Sequence, residues 1–314
     1  MKIHLIIDFQ YNYYRNKSSF VRRAQKFGAK RLSAVVDGEV VDTTYMYLTL
    51  KDIESYRKQY LINKDGTVND VIVSIAVDSK TDRKDIDTEY KSNRSGRLDS
   101  DDFMSIDRTV EALANAGYNI YKKETYEADD LIRGLVQKYE NDFDLTIIHT
   151  NDSDILVNLS PKVAIARFKS SLKKHVIITE DNFSTIMGDE FKCDMPLNCI
   201  MLYKSLVGDK SDKVKGVSGF GVKAFDRLVW NLREQYGNLY FLDMKYADYT
   251  EQVLKDLHIC GKLTDTQFED AMHSFSLVRH KELDLNELEE PIQKDSYESR
   301  KLAYSKYEMV SLIG

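Results

Sequence analysis

The sequence contains little proline, glycine or cysteine, and each shortage excludes a class of protein. Three prolines and fourteen glycines among 314 residues argue against long disordered linkers. The three cysteines, Cys193, Cys199 and Cys260, lack the paired spacing of a zinc site and are too few for a disulfide framework. Such cysteine usage is typical of a reducing cytosol, so we expect a cytoplasmic protein.

Long apolar runs are also missing. No stretch reaches the roughly 18 apolar residues that suggest a membrane-spanning helix, so we expect no membrane partner. The apolar start is ended by Asp8 and is too short for a signal peptide. An apolar content of 42%, a charged content of 31% and a mean hydropathy of −0.45 indicate a globular protein with a sizeable core.

The sequence lacks an excess of positive charge as well. A net charge of −6 argues against a uniformly basic nucleic-acid-binding protein. The acidic residues are concentrated in a few short clusters, however, and separate segments are basic. This segregation leaves room for metal ions in one place and phosphate groups in another.

Apolar patterning predicts an α/β fold. Runs rich in Ile and Val at residues 3–8, 71–78 and 145–150 predict buried parallel strands, and helical periodicity lies between them, around residues 103–117 and 132–139. This alternation predicts a mostly parallel central sheet flanked by helices. Residues 32–47 predict a hairpin that turns at Asp37-Gly38, and the chain beyond about residue 185 is predicted to be helical.

Acidic residues follow the predicted strands. Asp8 ends the first strand, Asp78 another, and Asp152 and Asp154 follow the strand at 145–150. Because binding sites in open α/β sheets form at the carboxyl ends of strands, these side chains are expected to converge. Two helical regions add further acids. The candidate metal ligands are Asp8, Asp78, Glu127, Asp129, Asp130, Asp152, Asp154, Asp209 and Asp212.

So many carboxylates in one place would require cations to neutralise them. Oxygen ligands favour hard divalent ions, so we expect two Mg²⁺ or Mn²⁺ ions that clamp a phosphodiester and activate a water. A simpler interpretation stays open for each cluster. Glu127, Asp129 and Asp130 could merely complement a helix N-terminus, and Asp152 and Asp154 could be ordinary loop acids.

The chain resembles the 5′ nuclease superfamily of flap endonucleases and 5′→3′ exonucleases. The resemblance rests on YEADDLI at 126–132, TNDSDIL at 150–156, GDKSDKVKGVSGFGVKAF at 208–225, Asp78 followed by YKSNR at 90–94, and LIIDF at 5–9. These matches follow the family order over about residues 3–230. The chain looks most similar to the stand-alone phage members, which would place it in a host cytoplasm.

The resemblance implies a role for each matching residue. Asp8, Asp78, Glu127, Asp129, Asp130 and Asp152 would surround the first metal ion, and Asp154, Asp209 and Asp212 would complete the second. Lys91 and Arg94 would be catalytic, by contacting the scissile phosphate. Cations that lie one helical turn apart could grip a phosphate in this way. A solvated helix face is the simpler interpretation of these two cations.

The resemblance also implies a DNA-binding helix–three-turn–helix at 208–225, which in the family often holds a K⁺ ion. Gly216, Gly219 and Gly221 would permit a tight turn whose amides face a phosphate. The family places its arch at about 80–123, where the chain is basic. The predicted DNA-contacting residues are Lys80, Arg83, Lys84, Arg97, Lys213, Lys215, Gly216, Gly219, Gly221 and Lys223.

Three tyrosines follow the first acid. Tyr11 or Tyr14 could stack on a base near the cut, although Tyr13 and its neighbours could equally be core residues. The segment LDSDDF at 98–103 makes the arch short and acidic, which argues against threading of a flap. Lys213 stands where many members of the family have Asn.

We therefore predict a nuclease core at 1–185 and a helical DNA-binding region with a C-terminal tail at 186–314. The expected protein is a monomeric, metal-dependent 5′ nuclease that acts on flap, nicked or RNA-primed duplexes, with replication proteins as further partners. Two alternatives stay open. One is a PIN-like metal-dependent ribonuclease that would not need residues 208–225, and the other is a non-catalytic protein that binds branched DNA.

Overall fold

The structure is a computed structural model that describes residues 1–94, 96, 98–237, 240–241 and 246–313. Eight strands are present among these residues: β1 Lys2–Asp8, β2 Ser33–Val36, β3 Glu39–Asp42, β4 Asp70–Ala76, β5 Asn119–Tyr121, β6 Leu145–His149, β7 Val163–Lys169 and β8 Lys174–Ile178. The α-helices among them are α1 Phe9–Phe27, α2 Thr44–Leu61, α3 Arg83–Ile86, α4 Ser100–Asn115, α5 Ala128–Tyr139, α6 Phe183–Phe191, α7 Ile200–Val207, α8 Val222–Tyr236, α9 Ala247–Ile259, α10 Asp265–Val278 and α11 Tyr297–Ser305.

The chain forms two compact units, each assembled from separate stretches of sequence. Unit 1 comprises Met1–Ser79, Gly96–Asn151 and Leu283–Gly314, and unit 2 comprises Lys80–Ser95 and Asp152–Glu282. The predicted division at residue 185 is a functional one, between a nuclease core and a DNA-binding region, and it stays a prediction.

Unit 1 is built on parallel strands in the order β5-β4-β1-β6. Ile3 of β1 lies opposite Val71 of β4 and Leu145 of β6, so the three apolar runs that the sequence singles out are neighbours. Their side chains are buried, as expected for a parallel sheet with both faces covered. Because the strands are parallel and in register, their carboxyl ends share one edge, and Asp8 is the last residue of β1.

The C-terminal segment belongs to unit 1. The carboxylate of Glu54, which is buried in α2, accepts hydrogen bonds of 2.7 Å from the hydroxyls of both Tyr118 and Tyr304. Asp295 forms ion pairs with Arg57 and Arg300. These contacts involve residues far apart in the sequence, which is why the role of the tail is not visible in its composition.

Unit 2 contains an antiparallel pair and a set of helices. β7 and β8 pair from Ile165 opposite Ile178 to Lys169 opposite Lys174. The short segment that carries Lys91 is anchored by an apolar cluster in which Tyr90 packs with Val214, Leu277 and Val278. This packing fixes the segment at 80–95 against elements that lie more than a hundred residues later.

The predicted α/β class, with a mostly parallel sheet flanked by helices, is confirmed. The hairpin of β2 and β3 turns at Asp37 and Gly38, both of which have positive φ, but it ends at Asp42, and residues 44–47 begin α2 instead. Among the described residues, no helix combines the length and apolarity that crossing a membrane requires.

Candidate active site

Unit 1 holds five of the nine predicted metal ligands at the carboxyl edge of its sheet, and the best defined is Asp8. This buried residue is also the N-cap of α1, where one carboxylate oxygen accepts a hydrogen bond of 3.0 Å from the Tyr11 amide. The other oxygen accepts a hydrogen bond of 2.8 Å from the Thr150 hydroxyl. Both oxygens of Asp8 are therefore held in a fixed orientation.

The other acids of unit 1 gather at the start of α5. The Ala128 amide donates to Asp78 Oδ1 at 2.7 Å, and Glu127 and Asp130 form a capping box in which the Glu127 amide donates to Asp130 Oδ2 at 3.0 Å. Asp129, in the same first turn, is half-buried. Helix capping accounts for part of this cluster, as the simpler interpretation has it. Each carboxylate can accept several bonds, so capping leaves capacity for a further ligand.

Unit 2 holds the remaining four acids. Asp154, Asp209 and Asp212 each present a carboxylate oxygen within 4.8 Å of those of the other two. Asp152 is tied to the same group because its Oδ1 accepts a hydrogen bond of 3.0 Å from the Asp154 amide. The structure therefore brings together the ligands that were predicted for the second metal ion, while the convergence of all nine carboxylates stays a prediction.

A buried lysine neutralises part of this group. The ammonium of Lys204, on α7, forms ion pairs with Asp154 and, at 2.6 Å, with Asp209. The pKa of Lys204 is raised, because although burial lowers it, the carboxylates Asp154, Asp152 and Asp209 stabilise the charged form more strongly. Lys204 therefore stays protonated and supplies the positive charge that these acids require.

The acids of unit 2 differ in how easily they ionise. Burial, together with the neighbouring Asp152 and Asp212, raises the pKa of Asp154 to about 7 even though Lys204 opposes the shift. Burial also raises the pKa of Asp212, against Lys91 and Arg94. The pKa of Asp209 is lowered to about 2 despite its burial, because Lys204 and Ser211 bond its carboxylate. The group therefore carries more negative charge than its own cations fully stabilise.

Asp209 and Asp212 lie in a closed loop. Asp209 and Val214 exchange two backbone hydrogen bonds of 2.8 Å, and the Ser211 amide donates to Asp209 Oδ1 at 2.7 Å. At the neck, Gly208 and Gly216 have positive φ and pack so closely that a Cβ on Gly216 would lie 2.4 Å from the Gly208 nitrogen. Only glycine fits this contact, so the neck fixes how both acids are presented.

The two predicted catalytic cations contact the same loop. Asp212 forms ion pairs with the Arg94 guanidinium and, at 3.7 Å, with the Lys91 ammonium, while the Lys91 amide donates to the Asp212 carbonyl at 3.0 Å. They are not one turn apart on a helix face: Lys91 has a φ of 49° and precedes a 3-10 turn that ends at Arg94. The solvated helix face of the simpler interpretation is therefore wrong.

These residues fit a hard divalent cation. The donors are carboxylate oxygens, which Mg²⁺ and Mn²⁺ prefer, and the raised pKa values of Asp154 and Asp212 show that further positive charge would be favourable there. The Lys204 ammonium contacts two of the three clustered carboxylates, those of Asp154 and Asp209. It therefore balances negative charge that a bound divalent ion would also balance.

The glycines of the predicted helix–three-turn–helix differ in role. Gly216 is buried and its amide donates to Ser274 Oγ at 3.1 Å, so it belongs to the loop neck rather than to a phosphate site. Gly219 and Gly221 are exposed, with open space around the position of a Cβ, and Gly221 caps α8. The exposed lysines of this region are Lys213, Lys215 and Lys223.

The four predicted DNA-contacting cations that precede residue 98 do not share one environment. Lys80 and Lys84 are exposed. Arg83 is buried, and its guanidinium donates to the Arg279 carbonyl at 2.9 Å, which argues against the predicted contact with DNA. Arg97 lies outside the described residues.

The acidic segment at 98–103 and the tyrosines at 11–14 also have structural roles. Asp99 and Asp102 form the capping box of α4, and Asp102 pairs with Lys17, so these two acids help to start a helix. The short, acidic arch stays a prediction. Tyr13 is a core residue, whereas Tyr11 and Tyr14 are half-buried. Stacking of Tyr11 or Tyr14 on a base stays a prediction.

Sequence reasoning missed two residues of the site. Lys204 sits in the apolar segment IMLYKSLV, where a single lysine on a buried helix requires an anionic partner, and that signal could have found it. Thr150 is part of the motif TNDSDIL, but nothing in the motif shows that its hydroxyl bonds Asp8.

Comparisons with known proteins identify the family of this chain and structures that share its fold. Residues 27–188, just over half of the chain, match the family described as "5′-3′ exonuclease, N-terminal resolvase-like domain". The chain is 32% identical over 190 residues to a 5′-3′ exonuclease of Bacillus subtilis, and the aligned residues cover 60% of this chain and 62% of that protein. It is 34% identical over 173 residues to DNA polymerase I of Caldicellulosiruptor bescii, and these residues cover 53% of this chain and 20% of that protein. The chain therefore spans less than two thirds of the length of these relatives.

Two solved structures share the fold. A flap endonuclease of bacteriophage T5, in a pseudo-enzyme–product complex with DNA and metal ions, gives a TM-score of 0.55 at 18% identity, over 88% of this chain and 89% of that one. The catalytic core of Rad2 in complex with a DNA substrate gives a TM-score of 0.53 at 16% identity, over 99% and 91%. At these identities the likeness concerns the fold alone.

Proposed function

The chain belongs to the family of 5′-3′ exonucleases with an N-terminal resolvase-like domain, and from this premise we propose that it hydrolyses phosphodiester bonds near the 5′ ends of flap, nicked or RNA-primed duplexes. The observation that carries the proposal is the group formed by Asp154, Asp209 and Asp212, with Lys91 and Arg94 paired to Asp212. This pairing puts phosphate-binding cations beside candidate metal ligands.

We propose that the nine carboxylates hold two divalent ions, Mg²⁺ or Mn²⁺. One ion would be held by Asp8, Asp78, Glu127, Asp129, Asp130 and Asp152, and the other by Asp154, Asp209 and Asp212. When bound, such ions polarise a phosphodiester and lower the pKa of an attacking water. The orientation of Asp8 by Tyr11 and Thr150 supports its proposed role as a ligand.

The chain's own cations would bind and orient the substrate. Lys91 and Arg94 would hold the scissile phosphate and stabilise the negative charge that develops on it. Asp212 presets their positions through its ion pairs, and the Asn93 side chain, which donates to the Ser211 carbonyl at 3.0 Å, fixes the segment between them. The substrate phosphate would therefore meet cations that are already in position.

The remaining contacts are proposed for the nucleic acid outside the cut. We expect the duplex to contact the open turn of Gly219 and Gly221 and the exposed lysines at 213, 215 and 223. The same turn would hold the K⁺ ion. The 5′ strand would contact Lys80 and Lys84. Tyr11 or Tyr14 would stack on a base. A monomer acting in the cytoplasm, with RNA–DNA hybrids as further substrates and replication proteins as partners, completes the proposal.

The test is cleavage of labelled 5′-flap, nicked, blunt and RNA-primed duplexes, with product lengths measured in Mg²⁺ and again with excess EDTA. We expect short 5′ products in Mg²⁺ and none in EDTA. Cleavage that survives EDTA would contradict metal-dependent hydrolysis. Shape-selective binding without product in Mg²⁺ or Mn²⁺ would favour a binding protein, and cutting of RNA regardless of duplex structure would favour a PIN-like ribonuclease.

Thr150 offers a second test, because its hydroxyl donates to Asp8 at 2.8 Å. Thr150→Val removes this donor with little change of shape. Loss of a group that orients a metal ligand typically weakens metal binding by about 10–100-fold. We therefore expect the Mg²⁺ concentration for half-maximal cleavage to rise about ten-fold, and Thr150→Ser to restore it. If the Val and Ser variants respond equally to Mg²⁺, Thr150 does not position Asp8.

A further inference from the structure

The outer face of α8 places Lys223, proposed above as a nucleic-acid contact, beside two residues that the proposed function does not use, Arg227 and Trp230. Lys223, Arg227 and Trp230 follow one another at helical spacing, and all three are exposed. Trp230, the only tryptophan in the chain, is 60% exposed. A ring of this size on the surface offers a flat apolar face on which a planar group can stack.

The surroundings of Trp230 are charged. A groove of about 370 Å³ lies along this face and is lined mainly by charged side chains, with Val229 as the only aliphatic one. Asp194 pairs with Arg233 at one side, and its amide donates to Asp226 at 3.2 Å. Across the part of the chain that the structure describes, Lys223 and Arg227 form no ion pair. Two cations without an ion pair therefore lie on the same face as the exposed ring, with the single carboxylate of Asp226 beside them.

We infer that this face binds a single-stranded nucleic-acid segment, with Trp230 stacked on an unpaired base and Lys223 and Arg227 on the adjacent phosphates. The three residues span about 10 Å along the axis, given a rise of about 1.5 Å per residue. Aromatic rings beside cations that contact the backbone are how proteins bind single strands without sequence preference. The inference deepens the proposed function, on which it rests, by naming a second, single-stranded part of its substrate.

Other occupants fit less well. In a duplex the bases are stacked on one another, so an indole on a helix face cannot reach their planes except at an end. The core of a protein–protein interface is depleted of Lys, Asp and Glu, whereas this groove is lined by Lys223, Asp194 and Asp226 together with two arginines. A single strand offers both the unpaired bases and the phosphates that the face can bind.

Because Trp230 is the only tryptophan, its fluorescence reports on this face directly. The full chain in EDTA would be titrated with an unlabelled oligothymidylate of about 12 nucleotides, and separately with a blunt duplex of equal length. We expect saturable quenching by the oligothymidylate, weaker at higher salt because phosphates are contacted, and at least several-fold weaker quenching by the duplex, which would bind elsewhere. Absence of quenching, or equal quenching by both, would overturn the inference.

Variants test the same face through the anisotropy of a labelled oligothymidylate. Trp230→Ala is expected to weaken binding about ten-fold, or about 1.4 kcal/mol, and Trp230→Phe to weaken it less. Lys223→Gln and Arg227→Gln should each weaken binding several-fold and reduce its salt dependence. Phe27→Ala, which removes another exposed aromatic ring beside a lysine, is the matched control and should bind like the wild type.

The outcomes separate this inference from the proposed function. Unchanged binding by Trp230→Ala, with Mg²⁺-dependent cleavage of a flap intact, would overturn the inference and leave the nuclease proposal standing. If Trp230→Ala weakens binding but the wild-type chain cleaves none of the substrates, the nuclease proposal is overturned and the inference stands. A shift of tryptophan emission that depends on protein concentration, without oligonucleotide quenching, would overturn the inference in favour of self-association.

Discussion

Replacing Asp154 by asparagine is expected to lower the rate of Mg²⁺-dependent cleavage about a thousand-fold while leaving the protein at least as stable as the wild type. A thousand-fold change in rate corresponds to about 4 kcal/mol of transition-state stabilisation. That magnitude is reasonable for a proposed metal ligand, because bound ions contribute several kcal/mol of charge stabilisation. An amide keeps the shape of the carboxylate but not its charge.

The stability expectation follows from the surroundings of Asp154. Burial and the neighbouring carboxylates raise its pKa to about 7, so the folded protein favours its neutral form more than the unfolded chain does. Asparagine resembles that neutral form. Lys204 loses one partner but keeps Asp209 at 2.6 Å. A site that gains activity from mutually repelling acids should lose nothing in stability when one of them is neutralised.

The measurements are initial rates on a labelled 5′-flap duplex and thermal unfolding in EDTA. Asp189→Asn is the matched control, because Asp189 is an exposed aspartate of unit 2 outside the acidic group, and it should change neither quantity appreciably. Retention of more than about a tenth of the wild-type rate by Asp154→Asn would show that the carboxylate is not a metal ligand. A much lower melting temperature would show that its role is mainly structural.

Features with a short-range or periodic signal could be predicted from the sequence. The Ile- and Val-rich runs of β1, β4 and β6 are buried on both faces, so their composition alone identifies them as strands. β7 and β8 were missed: β8 is half exposed and contains lysine and histidine, so its composition does not stand out. Asp37-Gly38 identified the hairpin because the turn demands positive φ at both residues.

The acids were found for a similar reason, but their local partners were not. Asp8 follows a buried strand, so its position was visible in the sequence, whereas its bond to Thr150 joins residues 142 positions apart. Arg83 looked like a surface cation because composition does not show that the Arg279 carbonyl lies beside it. Gly216 looked like part of a phosphate turn because close packing against Gly208 is a three-dimensional contact.

Lys204 is the largest omission, because it decides how the acids of unit 2 are balanced. Four carboxylates, those of Asp152, Asp154, Asp209 and Asp212, face three cations, Lys91, Arg94 and Lys204, and of these cations only Lys204 is buried. An isolated buried charge is costly, so both sides of such a pair depend on each other. Sequence spacing can find the acids, but it cannot show which cation they hold between them.

Replacing Lys204 by methionine is therefore expected to lower the free energy of unfolding in EDTA by about 3–5 kcal/mol, the usual cost of removing one partner from a buried ion pair. Methionine keeps the unbranched shape and fits an apolar helix, so loss of packing is small. Asp154 and Asp209 would be left buried with their charge uncompensated. Asp154→Asn in the same chain should reduce the loss, because one of the two orphaned charges disappears.

A divalent ion should restore much of this stability if the same carboxylates bind it. Binding to the folded state alone contributes about 2.7 kcal/mol at a concentration of about 100 times Kd. We expect millimolar Mg²⁺ to raise the melting temperature of Lys204→Met more than that of the wild type, in which the ammonium already neutralises the site. Lys255→Met, which removes a half-exposed lysine paired with Glu251, is the control and should change stability by less than about 1 kcal/mol in either buffer. If Mg²⁺ stabilises Lys204→Met no more than it stabilises the wild type, Lys204 and the metal do not share these carboxylates.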